Sequence, residues 1–191
     1  MRSYVIAVRR WWTVPLAVAV LVLVCGSVGS SEIPVPSLVG GMVGARLAYF
    51  TPVLIVLAVM YCLERRLCEA ESTAVTPVRR YDNGALILTV MLTHSAGLVV
   101  GMDVARNVTL LLAVALITRR LANEATAAGA GLLLLILNLV LGRAYQPDGH
   151  PSHAWWALPL YPAGNLAAWL IAVGLFAIAL TLPLPQAGRS D

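Results

Sequence analysis

The sequence contains no lysine. All thirteen basic side chains among its 191 residues are arginine. Such usage fits the coding bias of a high-GC bacterium, and the formal charge of +4 is not read as a sign of nucleic-acid binding. Charge of either sign is scarce, at 12% of residues, where a soluble domain carries about 25%. Half the usual charge points to a membrane protein. Cysteine is limited to Cys25, Cys62 and Cys68, an odd and scattered set that builds neither a disulfide framework nor a metal site. Cys62 and Cys68 fall at or near the expected inner face, where thiols stay reduced.

Catalytic patterns are absent too. There is no glycine-rich phosphate loop of the Walker type and no glycine-flanked serine for an intramembrane protease. No pair of acids stands at helical spacing inside an apolar stretch, so metal or proton-relay chemistry has little to use. His150 and His153 form a loose HxxH without a third ligand nearby. No catalytic residue and no metal ligand is assigned, and an enzyme is not expected.

What remains is apolar: 60% of residues, with mean hydropathy +0.84. Runs of this length in lipid must be helical, because lipid offers the backbone no hydrogen-bond partner. The expected fold is an all-α membrane protein, a single domain of six transmembrane helices. The spans are read at about 11–28, 38–62, 84–102, 106–120, 125–143 and 165–185. Arg2, Arg9 and Arg10 precede Trp11 and Trp12, as in a span anchored at the headgroup level. The competing reading of this start is a cleaved signal peptide, with Val28-Gly29-Ser30 as a passable site. The stretch 27–37, with Pro34 and Pro36, reads as an outer loop. Pro52 is expected to kink the second span.

Arginine sets the orientation. With both termini inside, Arg2, Arg9, Arg10, Arg65, Arg66, Arg79, Arg80, Arg119, Arg120 and Arg189 fall on the cytoplasmic side. Only Arg46, Arg106 and Arg143 fall outside, ten against three. This is the positive-inside bias, and it gives N-in, C-in.

Three polar residues within spans are candidates for a pathway: Arg46, His94 and Asn138. The bland alternatives are snorkelling for Arg46, or a span that starts near it, and helix–helix hydrogen bonds for His94 and Asn138. Two loops do more than connect. The cytoplasmic loop 63–83 carries Glu64, Glu69 and Glu71 early, then Thr76-Pro77-Val78-Arg79-Arg80. Acids at a helix start and bases after it suit the helix dipole, and Thr76, preceding a proline, marks a helix end. A short surface helix and a solvated loop both satisfy this pattern. The outer loop 146–164 carries four prolines, Trp155, Trp156 and Tyr161. Its middle is too short and too broken to span, which suits partial re-entry from the outer side; the plainer reading is an interfacial tryptophan belt.

This order of spans, cytoplasmic loop and re-entrant outer loop resembles the permease subunit of type-2 ABC exporters. The loop 63–83 is similar to that family's coupling segment, a Glu-bearing helix followed by a proline turn and arginine. The resemblance implies that Glu64, Glu69, Glu71, Thr76, Pro77 and Arg79 contact a separate ATPase subunit. It implies that Trp155, Trp156 and Tyr161 lie in an outer gate. ATP and Mg would be bound by the partner, with no cofactor in this chain, and a second permease copy or paralogue would complete the route. The expected role is export of a hydrophobic or amphipathic substrate across the cell membrane. The chain is short for the family, and its N-terminal interfacial helix is reduced to 1–10. A non-transporting accessory, immunity or assembly subunit is the alternative, and a small intramembrane enzyme a distant third.

Overall fold

The computed structural model describes residues 10–37, 41–64, 78–122, 124–145 and 151–182. The chain is mostly helical, with six α-helices among the described residues. They are α1 (Thr13–Val28), α2 (Pro52–Glu64), α3 (Val78–Val100), α4 (Met102–Leu121), α5 (Glu124–Leu141) and α6 (Leu166–Thr181). Two helical stretches, Leu47–Glu64 and Arg80–Val100, are long and apolar enough to cross a membrane by length and composition. The apolar helical stretches Thr13–Val28, Gly129–Leu141 and Leu166–Thr181 are shorter.

Hydrogen bonds between sequence-distant residues define the two ends of the bundle. At one end, Arg10 Nη1 donates to Tyr61 Oη at 2.9 Å, and Thr13 and Cys62 hydrogen-bond at 3.1 Å. Arg119 Nη2 donates to the Leu63 carbonyl at 2.8 Å. This Arg10 end gathers the start of α1, the end of α2 and the end of α4. At the other end, Cys25 and Thr51 hydrogen-bond at 3.3 Å, joining the end of α1 to the start of α2. The start of α4 lies there as well, bonded to the chain that leads into α6. Successive helices thus alternate in direction.

The α3–α4 reversal is tight. Gly101 has φ 124°, a left-handed conformation that favours glycine, and its N–H donates to the Gly97 carbonyl at 2.9 Å. Asp103 sits in the first turn of α4, the favourable end of the helix dipole for an acid.

Helix α4 is the centre. Val104 through Ala113 are all buried, as are Ala115 and Leu116. A helix buried on every side must be surrounded, and α2, α3, α5 and α6 all pack against it. Its sequence suits that place: small and branched apolar residues with Thr109, whose hydroxyl bonds back to the Ala105 carbonyl at 3.0 Å. The surrounding helices turn large apolar side chains outward, among them Leu88, Met91 and Leu98 on α3, Leu133 on α5 and Leu170 on α6.

Several boundaries differ from the sequence reading. The region read as one span over 38–62 is divided. Its first part is strand β2 (Gly41–Arg46), paired antiparallel with β1 (Glu32–Ser37), so that Glu32 faces Arg46. Glycines at 40, 41 and 44 weaken a helix here. Pro34 and Pro36 are tolerated in β1 because it has one neighbour only and its other edge needs no N–H. Pro52 does not kink a helix; it opens α2, where its missing N–H costs nothing. A second hairpin, β3 (Arg143–Tyr145) with β4 (Pro151–His153), precedes α6. The loop expected at 63–83 is shorter: α2 runs through Glu64 and α3 begins at Val78.

Candidate functional site

The densest polar construction among the described residues lies at the start of α4. Arg106 is 1% exposed. Its Nη1 donates to the Pro162 carbonyl at 2.9 Å, and its Nη2 to the carbonyls of Tyr161 at 2.6 Å and Pro159 at 3.4 Å. Nη2 also meets Asn107 Oδ1 at 3.3 Å. The Asn107 amide donates in turn to the Pro159 carbonyl at 3.1 Å. The Arg106 Nε is buried without a partner.

The acceptors belong to a proline-broken segment. A 3-10 turn covers Leu158–Leu160, with Pro159 in it and Pro162 just after. The turn closes on itself through Leu160 N–H to the Ala157 carbonyl at 3.0 Å and Tyr161 N–H to the Leu158 carbonyl at 3.3 Å. Its other carbonyls need donors, since buried ones rarely go unpaired, and α4 supplies them. Beyond it, Asn165 caps α6 by accepting from the Ala168 N–H at 2.9 Å.

Around this centre, the two hairpins meet where Arg143 Nη2 donates to the Gly44 carbonyl at 3.0 Å. Arg143 also faces His153 across β3–β4. The His153 and Tyr161 rings meet edge to face, with centroids 5.9 Å apart. Loss of hydration, and then the Arg143 charge, hold the His153 imidazole below its ordinary pKa of 6.5. The folded hairpin therefore disfavours the charged ring. Its stability is complete above the unfolded value and is lost as pH falls through the lower, folded one. Intrinsic fluorescence followed from pH 8 to pH 4 should report this loss, and His153→Gln should flatten the slope. An unchanged profile in the variant would place the titration elsewhere.

The residues expected for the outer gate lie here but play unequal parts. Tyr161 contributes its carbonyl to Arg106 and its ring to His153. Trp155 is 83% exposed and Trp156 is partly so, and neither touches the Arg106 cluster through a hydrogen bond. The three pathway candidates are not brought together. Arg46 is exposed on β2 rather than inside a helix. His94 Nδ1 meets the Val90 carbonyl of its own helix at 2.7 Å, and its ring lies 5.3 Å from that of Trp169 on α6. Its link to another helix is a ring contact, not the expected hydrogen bond. Asn138 likewise bonds within α5, donating to the Leu134 carbonyl at 2.7 Å, while its Oδ1 is buried without a partner.

Of the residues expected to meet an ATPase, Glu64 is the exposed last residue of α2, and Arg79 lies in the first turn of α3. Glu69, Glu71, Thr76 and Pro77 lie outside the described residues. Among the described residues, no three His, Cys, Asp or Glu side chains gather as a metal would require. Compared with protein-family models, with curated proteins and with solved structures, the chain matches none.

The sequence reading placed Arg106 on the outer side, at the start of the span 106–120, and gave it no role. A signal was present: an arginine and an amide, Arg106-Asn107, at the mouth of an apolar run. A polar pair there either leaves the apolar interior or is buried with dedicated partners. The partners lie more than fifty residues away in sequence, which is why local pattern did not reveal them.

Proposed function

We propose that the chain is a multi-pass subunit of the cell membrane that works with a separate ATPase to export a hydrophobic or amphipathic substrate, in the manner of type-2 ABC exporters. Its inverted distribution of polarity supports a lipid setting. Arg106 and Asn107 are buried on the enclosed helix α4, while Leu88, Met91, Leu98 and Leu170 face outward. The observation that supports the exporter reading is where the two flanks of segment 65–77 lie. Its flanks, the end of α2 and the start of α3, lie at the Arg10 end. The Leu63 carbonyl just before it is bonded by Arg119 at the end of α4. A partner pressing on this segment would press on the central helix. The same end holds Arg10, Arg80, Arg119 and Arg120, which the positive-inside rule places in the cytoplasm.

On this reading, ATP-driven closure of the partner shifts the chain between two packings through its different affinity for each. The route lies between two copies, or between this chain and a paralogue, because α4 fills the middle of one. That filled centre is also the observation favouring a second reading, a non-transporting membrane accessory. Affinity purification of the tagged chain from detergent-solubilised native membranes separates the two. Recovery of a Walker-motif ATPase, lost when Glu71→Arg and Thr76→Ala are combined, is the expected result. Recovery of another protein without an ATPase would overturn the exporter reading in favour of the accessory.

A further inference from the structure

We propose that Arg106 is the latch that holds segment 157–162 against the bundle. This is a positioning role, and it stands apart from whether an ATPase binds 65–77. One guanidinium gathers the carbonyls of Pro159, Tyr161 and Pro162, and the neighbouring Asn107 doubles the grip on Pro159. All these acceptors on the segment are main-chain oxygens. The latch therefore reads the path of the segment rather than its side chains. The two prolines fix φ on that path and remove N–H groups that would otherwise compete to order it. The segment's own main-chain bonds are all short-range: they close its 3-10 turn and the steps from Ala154 to Ala157, from Trp156 to Leu158 and from Pro162 to Asn165.

The chemistry demands arginine. The planar fork points donors at several oxygens at once, whereas a lysine ammonium is a compact point charge on a flexible stem. The donor set is not saturated, because Nε is buried without an acceptor. A buried unpaired donor weakens the latched packing relative to one that hydrates it. Release would free 157–162, with Trp155 and Trp156 just before it, while leaving the Arg119 tie at the opposite end of α4 in place.

The test is amide hydrogen exchange of the full chain in lipid nanodiscs, read on peptides covering 157–165 and 52–64. Arg106→Lys is expected to speed exchange of the Leu160, Tyr161 and Asn165 amides about tenfold or more, the loss of charge-assisted bonds. Exchange in α2 should stay unchanged. Asn107→Ala, which removes one bond to a carbonyl that Arg106 still holds and the Oδ1 that Nη2 meets, leaves the three bonds from the guanidinium to the segment and should have a smaller effect on the same peptide. In Arg106→Ala, millimolar guanidinium should restore protection and ammonium should not, a result that general loosening of the fold does not produce. Unchanged exchange at 157–165 in Arg106→Lys would overturn the latch, and so would an equal rise in α2. If Arg106→Ala does not fold, the lysine variant still decides.

Discussion

Leu112→Ala is expected to destabilise the chain by about 2 kcal/mol, and Leu111→Ala by a similar amount. Both side chains are 0% exposed. Adjacent helical residues point about 100° apart, so both are buried only because α4 is enclosed by its neighbours. The magnitude is set at the low end of the ~2–5 kcal/mol seen for buried Leu→Ala. In the proposed lipid setting the unfolded reference is apolar as well, so lost packing and the cavity count rather than transfer from water. The control is Leu133→Ala on α5, 57% exposed, which exchanges one lipid contact for another and should cost less than about 1 kcal/mol. Unfolding midpoints of the three variants in the same detergent would settle the comparison. Equal losses at all three positions would mean that α4 is not the enclosed helix.

That enclosure was only partly legible in the sequence. The apolar run at 109–118 reads as a short span that borrows residues from both sides, and the helix does extend to Met102 and Leu121. Nothing in the run says that it is central, because Leu and Ala suit a lipid-facing wall equally well. The distinction lies in the neighbours, most plainly in α6, which turns Leu166, Leu170 and Ile171 outward and buries Ala168, Ala172 and Ala179 with Phe176. The hairpin β1–β2 was hidden by Pro34 and Pro36, which read as loop because proline breaks interior strands, whereas a strand with one partner accepts them. His94 and Asn138 were legible as polar residues inside helices, but not in their partners. Each turns to a carbonyl one turn back on its own helix, the local competition that polar side chains always offer the backbone. The Arg106 cluster was the least legible, since it joins residues more than fifty positions apart.

Gly97→Leu should cost about 3 kcal/mol, the upper range for overpacking a filled interface. A Cβ built at Gly97 would stand 2.7 Å from the Ala105 Cβ and 3.4 Å from the Met102 sulfur. The sulfur can swing away, but the alanine methyl is fixed to the central helix. Gly97→Ala is the finer test, because two effects oppose each other. Alanine gains about 1 kcal/mol of helix propensity over glycine, while the contact costs about 1–3 kcal/mol if α3 and α4 cannot part. A net loss is expected, and Ala105→Gly in the same chain should recover much of it. Recovery of that kind is the coupling of two residues in contact. The contact also lies beside the Gly101 reversal, at Ala105, the residue before Arg106, and at Met102, one turn before it. Moving α3 away therefore displaces the first turn of α4, from which the guanidinium reaches Pro159, Tyr161 and Pro162. Gly97→Leu should accordingly quicken amide exchange at 157–165, whereas Leu112→Ala, two turns farther along α4, should lower the midpoint and leave that exchange unchanged. If both variants act alike on the segment, the first turn of α4 is not what holds it.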